Sequence, residues 1–189
     1  IQHYKSPEYQ MNKEIDIKDK IFEIFISEDE ISSIVHSMAN QINNSGVKDP
    51  LFIAVLNGSF LFAADIMRKI NIPNCEISFI KLSSYLGTEN TGKVNELIGL
   101  GKNIRNRNVV VLEDIIDTGI TLEKIMSLLE KEEVADIKVA TLLFKPEAYK
   151  KDIEIDFIGK SIPNDFVVGY GLDYDEIGRN LPHIYKLKE

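Results

Sequence analysis

The sequence has one cysteine, Cys75, in 189 residues. That excludes an internal disulfide framework and any zinc site built on cysteines. It has no apolar run of the roughly 18–20 residues that a membrane-spanning helix needs, and no leader of the kind that directs secretion. A soluble cytoplasmic protein is the expectation. Basic residues are in short supply: 22 Lys and Arg stand against 30 Asp and Glu, a net charge of −8. A general nucleic-acid or anionic-membrane binder needs the opposite excess, so neither partner is expected. A phosphorylated ligand would have to be held locally, by backbone amides or metal ions. Repeats, low-complexity tracts and a dividing linker are also missing. What remains is ordinary globular material, 44% hydrophobic and 28% charged, of a length suited to one domain. Residues 1–20 are polar and without a period. They read as a loosely held arm ahead of a single domain over 21–189. The chain opens on Ile1 and not Met, so an upstream residue or segment is expected.

The domain alternates strand and helix. Phe22–Ile26 alternates apolar and polar as a half-buried strand does. Ser27 and Glu30 have the spacing of a capping box, and Ile31, Ile34, Val35, Met38 and Ile42 follow at helical spacing until Asn43-Asn44-Ser45-Gly46. Leu51–Leu56 is continuously apolar, as a buried parallel strand is. Asn57-Gly58-Ser59 turns the chain into a helix over Phe60–Ile70. Glu76–Lys81 and Glu96–Leu100 read as strands around a polar, glycine-bearing loop at 83–95. Asn108–Leu112 is the clearest buried strand, followed by a helix over Leu122–Lys131 and a strand over Ile137–Phe144. Phe157–Gly159, Val167–Gly171 and Ile184–Leu187 are short strand-like pieces. The pattern predicts an α/β fold with a mostly parallel, twisted sheet flanked by helices.

The chemistry is concentrated in residues 109–121, VVVLEDIIDTGIT. A buried strand delivers Glu113 and Asp114 at its C-terminal edge, where open parallel sheets bind ligands. Adjacent carboxylates there are costly unless a cation or a hydroxyl-rich ligand satisfies them. Asp117 then opens a turn whose Thr118 and Thr121 supply hydroxyls and whose Gly119 permits tight backbone. The turn enters a helix N-terminus, whose free N–H groups favour an anion. Carboxylates for a polyol or metal beside a small phosphate cup fit a ribose 5-phosphate. The plain alternative is a solvated strand end whose Asp-Thr-Gly merely caps a helix.

This segment resembles the phosphoribosyl-pyrophosphate (PRPP) signature of the type I phosphoribosyltransferases, and most closely their hypoxanthine-guanine branch. The resemblance runs in order through roughly residues 50–187. VLNGSF (55–60) is similar to the pyrophosphate loop, SSYLGTENTG (83–92) to the mobile lid, LLFKP (142–146) to the purine-reading strand end. DFVVGYGLDYDEIGRNLP (165–182) is similar to the segment that stacks on the base and binds metal. The resemblance implies the type I fold, with a small hood made of N- and C-terminal segments. It implies Mg2+-dependent transfer of the phosphoribosyl group from PRPP to hypoxanthine or guanine, giving IMP or GMP and pyrophosphate. Within the run Glu113, Asp114, Ile115, Ile116, Asp117, Thr118, Gly119, Ile120, Thr121, the first two would hold the ribose hydroxyls and so order magnesium indirectly. Asp117 would be the proton partner of purine N7, and Thr118 to Thr121 would bind the 5′-phosphate. Lys145 would donate to the purine O6, Phe166 would stack on the ring, and the Val167 backbone would meet the base edge. Asp173 would ligate magnesium directly and contact the purine. Asn57, Gly58, Ser84, Tyr85 and Arg179 would bind pyrophosphate, with Leu56–Asn57 a cis peptide. Homodimers or homotetramers are the family habit.

One departure is Asn57, where many members have Lys; backbone amides and magnesium must then do more of the pyrophosphate binding. A regulatory member of the same fold that binds nucleotides or RNA is the other reading, though no basic face supports RNA. Other patterns fail on their own chemistry. Gly87–Val94 is one residue from a Walker A loop, but Val94 replaces the magnesium-binding Ser or Thr. Asp173, Asp175 and Gly178 suggest a calcium loop, but Ile177 and Ile184 stand at ligand positions. His3, His36 and His183 have no metal-binding spacing.

Overall fold

The structure is a computed structural model and describes residues 13–82, 96–98 and 103–188. Two sheets organise it. The larger is built on strands β3 (Leu51–Leu56), β4 (Glu76–Leu82), β5 (Glu96–Ile98), β6 (Asn108–Ile116), β7 (Asp136–Phe144) and β8 (Phe157–Ser161), in the order β5-β4-β3-β6-β7-β8. Five of its strands are parallel, and β5 alone runs antiparallel at the edge. The α/β expectation holds. The central strands β3 and β6 are apolar on both faces because both faces are covered. Phe52, Ala54, Val110 and Leu112 pack toward α1 (Glu28–Asn43) and α2 (Phe60–Met67). Leu51, Ile53, Val109 and Val111 pack toward α3 (Ile120–Lys131).

Helix α1 buries Ile31, Val35, Met38, Ala39 and Ile42, the stripe its spacing predicts. Each large side chain so buried contributes about 1.5–3 kcal/mol. Only half of the expected capping box forms. Ser27 Oγ accepts from Glu30 N–H at 3.2 Å, but the Glu30 carboxylate turns away to Lys160 Nζ at 2.8 Å. Another free amide of the first turn, Glu28 N–H, donates to His183 Nδ1 at 2.9 Å. The histidine with no metal spacing is thus a helix cap.

The second sheet is the hood: β1 (Glu14–Ile17), β2 (Lys20–Ile26), β9 (Val167–Val168) and β10 (Ile184–Leu187), ordered β1-β2-β10-β9 and antiparallel throughout. It corrects the reading of 1–20 as a loose arm for residues 14–20; residues 1–12 lie outside the described residues. Residues 14–17 are a strand, and Ile17 is buried with Phe22, Val168 and Tyr185. Four residues of alternation are too few to stand out in a polar stretch; the hairpin partner makes the strand.

Other boundaries move for local reasons. Strand β6 runs on through Glu113 and Asp114 to Ile116, paired with β7. Helix α2 closes at Met67 through the turns Lys69 N–H to Ile66 O and Ile70 N–H to Met67 O. The strand expected over Val167–Gly171 is cut to two residues because Gly169, Tyr170 and Gly171 all have positive φ. The turn it becomes is tied to α2 by Tyr170 Oη, which donates to Asp65 Oδ2 at 2.7 Å. Burial and then this bond hold the tyrosine hydroxyl well above its ordinary pKa. No helix among the described residues is long and apolar enough to cross a membrane.

Ser27→Ala removes the N-cap side-chain bond of α1 and should cost about 0.5–2 kcal/mol. In a protein of this size that lowers the melting temperature by a few degrees (about 2–4 °C per kcal/mol), measurable by circular dichroism.

Candidate active site

The site begins with two acids that cannot leave the strand. Glu113 is buried, 4% exposed, and its register partner on β7 is Thr141. No hydrogen bond or ion pair reaches its carboxylate among the described residues. Burial, and then the neighbouring Asp114, push its pKa well above the ordinary carboxylate range. Asp114 is half-buried. Its Oδ1 accepts from the Ile115 N–H at 2.9 Å. Burial lifts its pKa to about 6, against the pull of two backbone N–H groups and the Arg179 charge.

Asp114 lies against the turn after β3. A Cβ on Gly58 would collide with the Asp114 carboxylate. Only glycine lets this turn approach so closely. The Leu56–Asn57 peptide is cis, as expected. Ser59, fully buried, fastens the turn through Oγ–H to Val55 O at 2.6 Å. The hood arrives from the other side, its Gly171 so near the Gly58 carbonyl that a Cβ there would also collide.

Beyond β6 the backbone forms the cup. Gly119, φ +83°, is the N-cap of α3, and Glu123 N–H to Gly119 O at 2.9 Å is its first helical bond. The amides of the preceding turn have no helical acceptor and open toward an anion. Behind Gly119 stand the Tyr149 ring and the Lys151 stem, 2.6 and 2.8 Å from where a Cβ would lie. A cavity of about 410 Å³ joins these parts, lined by Leu56, Gly58, residues 113–122 and Lys124. Lys124, one helical turn beyond Thr121, is a cation that the sequence reading missed.

The other expected residues that the structure describes do not line this cavity. Lys145 closes β7 with only 8% exposure, and its Nζ meets Asp117 Oδ2 at 3.2 Å. Asp173 and Arg179 are bound to each other, Oδ1 to Nη2 at 2.7 Å. Asp173 Oδ2 also accepts from Glu176 N–H at 2.8 Å. The guanidinium further holds Gly171 O at 2.8 Å and Glu176 at 3.1 Å, while its Nε is buried with no partner among the described residues. Phe166 is 43% exposed on the hood face, and Val167 is buried in β9 opposite Lys186. Asn57 sits between two cavity-lining residues. Ser84 and Tyr85, with the loop expected to be a lid, lie outside the described residues.

The raised carboxylates make the site a cost to the fold. Asp114 binds its proton more tightly folded than unfolded, so it favours the folded state below pH 4. That advantage is lost as pH rises through about 6. In chelator-treated buffer at pH 8, Asp114→Asn should therefore stabilise the protein by about 1–3 kcal/mol, fading toward pH 4. Urea titrations across this pH range measure it.

Comparison with known proteins agrees with this geometry. The family model for the phosphoribosyl transferase domain matches residues 27–175. A hypoxanthine-guanine phosphoribosyltransferase of Staphylococcus epidermidis is 44% identical over 167 residues, 87% of this chain and 93% of that protein. A crystal structure of a hypoxanthine-guanine phosphoribosyltransferase from Bacillus anthracis, with a HEPES molecule in its active site, superposes with a TM-score of 0.80. It is 41% identical and covers 90% of this chain and 99% of that one. The hypoxanthine phosphoribosyl transferase of Trypanosoma cruzi gives the same TM-score at 32% identity, over 92% of this chain and 95% of that one. The likeness extends over nearly the whole length of these proteins, and this chain belongs to the phosphoribosyltransferase family.

Proposed function

We propose that this phosphoribosyltransferase acts in purine salvage on hypoxanthine or guanine. It takes the 5-phosphoribosyl group from PRPP and gives IMP or GMP and pyrophosphate. The observation that carries this reading is the Lys145–Asp117 pair, 3.2 Å apart at the edge of the cavity. A 6-oxopurine presents O6 and N7 side by side on one edge. An ammonium suits O6, and a carboxylate suits an N7 that bears a proton. Adenine presents an amino group to the same ammonium and is rejected. The hypoxanthine-guanine relatives support the same substrate class.

In the reaction the bond from ribose C1′ to pyrophosphate oxygen breaks, with oxocarbenium character at C1′. The N9 lone pair forms the new bond from the opposite face. The N7 proton passes to the Asp117 carboxylate, so the nucleotide leaves neutral at its imidazole ring. Lys145 loses a carboxylate partner when the base enters and gains the O6 acceptor. Thr118 to Thr121 hold the 5′-phosphate through amides and hydroxyls. Glu113 and Asp114 accept from the ribose hydroxyls, which relieves the two desolvated acids. Arg179 braces the 171–179 turn and adds positive charge next to pyrophosphate.

Magnesium suits the donor set. No three acidic, histidine or cysteine side chains converge among the described residues. Mg2+ commonly takes one or two carboxylates and completes its shell with substrate oxygens and water. Asp173 would hold it directly, and Glu113 and Asp114 through the sugar hydroxyls. When bound, it supplies positive charge against the leaving pyrophosphate.

Incubation with PRPP and Mg2+ should convert hypoxanthine and guanine and leave adenine and uracil untouched. Conversion of adenine or uracil in their place would overturn the reading. Asp117→Asn should slow single turnover by about 10²–10⁴-fold, the usual contribution of a general base, with PRPP binding retained. Lys145→Gln should weaken 6-oxopurine binding by about 10- to 100-fold, the scale of a hydrogen bond to a charged group. Its melting temperature should barely change, because the partner Asp117 is half exposed and such pairs add little stability.

A further inference from the structure

Phe166 is not fixed by its own strand. It lies just before the two-residue β9, and its carbonyl accepts from Leu187 N–H at 2.9 Å. Its ring is bounded by two others: Phe22 at 6.1 Å, and Tyr174 at 5.7 Å with 82° between the planes. Phe22 is fully buried in β2 and has no freedom. Tyr174 stands on the turn that carries Asp173 and Arg179, and is half-buried.

What fixes Tyr174 comes from the β1–β2 turn at the other end of the chain. Asp19 Oδ1 accepts from the Tyr174 hydroxyl at 2.8 Å. The ammonium groups of Lys18 and Lys20 lie 5.9 and 5.7 Å from the centre of its ring. Lys18 Nζ also pairs with the adjoining Asp175 at 2.9 Å. That ion pair is exposed and holds little. The hydrogen bond to an ionised acceptor and the cation–ring contacts are the stronger ties. The hydroxyl is the far point of the ring, so anchoring it fixes where the ring lies, and the two ammonium groups beside the ring favour the plane against which Phe166 rests edge-to-face.

We propose that Asp19 and Tyr174 form a clasp that positions Phe166, making the β1–β2 turn a specificity element of the purine site. This rests on the reading that Phe166 stacks on the base. The clasp acts on the base and not on the donor. Among the described residues no hydrogen bond, ion pair or ring contact joins Asp19 or Tyr174 to the cup at 113–121, and the neighbouring Asp173 is anchored separately by Arg179 and the Glu176 N–H. Asp19 and Tyr174 are positioning residues; neither touches a reacting atom.

Steady-state kinetics of the full chain, with hypoxanthine and PRPP varied separately, test the clasp. Tyr174→Phe keeps the ring and loses the bond; Asp19→Ala removes the acceptor of that bond. Each should raise KM for hypoxanthine by about 3- to 10-fold, the scale of one hydrogen bond, with KM for PRPP and kcat unchanged. The double variant should be no worse than the worse single, since both remove one interaction. Phe166→Ala is the reference and should raise the same KM. If it does while both clasp variants leave KM for hypoxanthine unchanged, the clasp is overturned and the stacking reading stands. If Phe166→Ala itself leaves that KM unchanged, both fall. A joint rise in both KM values, additive in the double variant, would mean general loosening of the hood and would also overturn the clasp.

Discussion

Two carboxylates side by side at the end of a buried strand are an unstable arrangement, and the surroundings of β6 respond to it. Neither acid can move away, because β6 remains paired to β7 past both of them. Burial, and then the neighbouring Asp114, raise the pKa of Glu113; burial raises that of Asp114 against the pull of backbone N–H groups and the Arg179 charge. The turn at Gly58 and the hood turn at Gly171 close around the same point. A ligand rich in hydroxyls relieves what the fold leaves unsatisfied.

The parts of this site that are continuous in sequence were legible before any coordinates. VVVLEDIIDTGIT contains the strand, the acids, the turn and the helix start within thirteen consecutive positions (109–121), and local spacing is what sequence patterns report. Most strands and helices followed from apolar period for the same reason. The pairings that complete the site are distant. Lys145 and Asp117 are 28 residues apart, and Asp19 and Tyr174 are 155 apart; no period links such positions. Resemblance named Lys145 and Asp117 as separate readers of a base and did not reveal that they hold each other.

The hood was the harder part, for a physical reason. Its strands run from two to seven residues, and the shortest carry no detectable alternation. Their stability comes from partners across the sheet, so their sequences need only avoid disrupting it. The arm misread at residues 14–20 and the strand overextended past Val168 are opposite errors with that one origin. Positive φ at three consecutive residues ended the second strand, and a tertiary partner created the first.

The strand order β1-β2-β10-β9 also sets a timetable. β2 is made early in synthesis, but its inner neighbour β10 lies at Ile184–Leu187. The parallel sheet needs nothing beyond Ser161 to close. On a ribosome, where chains emerge at roughly 5–20 residues per second, the phosphate cup is complete while the β1–β2 hairpin still waits for its partner. Phe22 and its apolar neighbours stay exposed through that interval. The hood is therefore the last part of the protein to form, and a chain released before residue 184 would carry a cup with no hood.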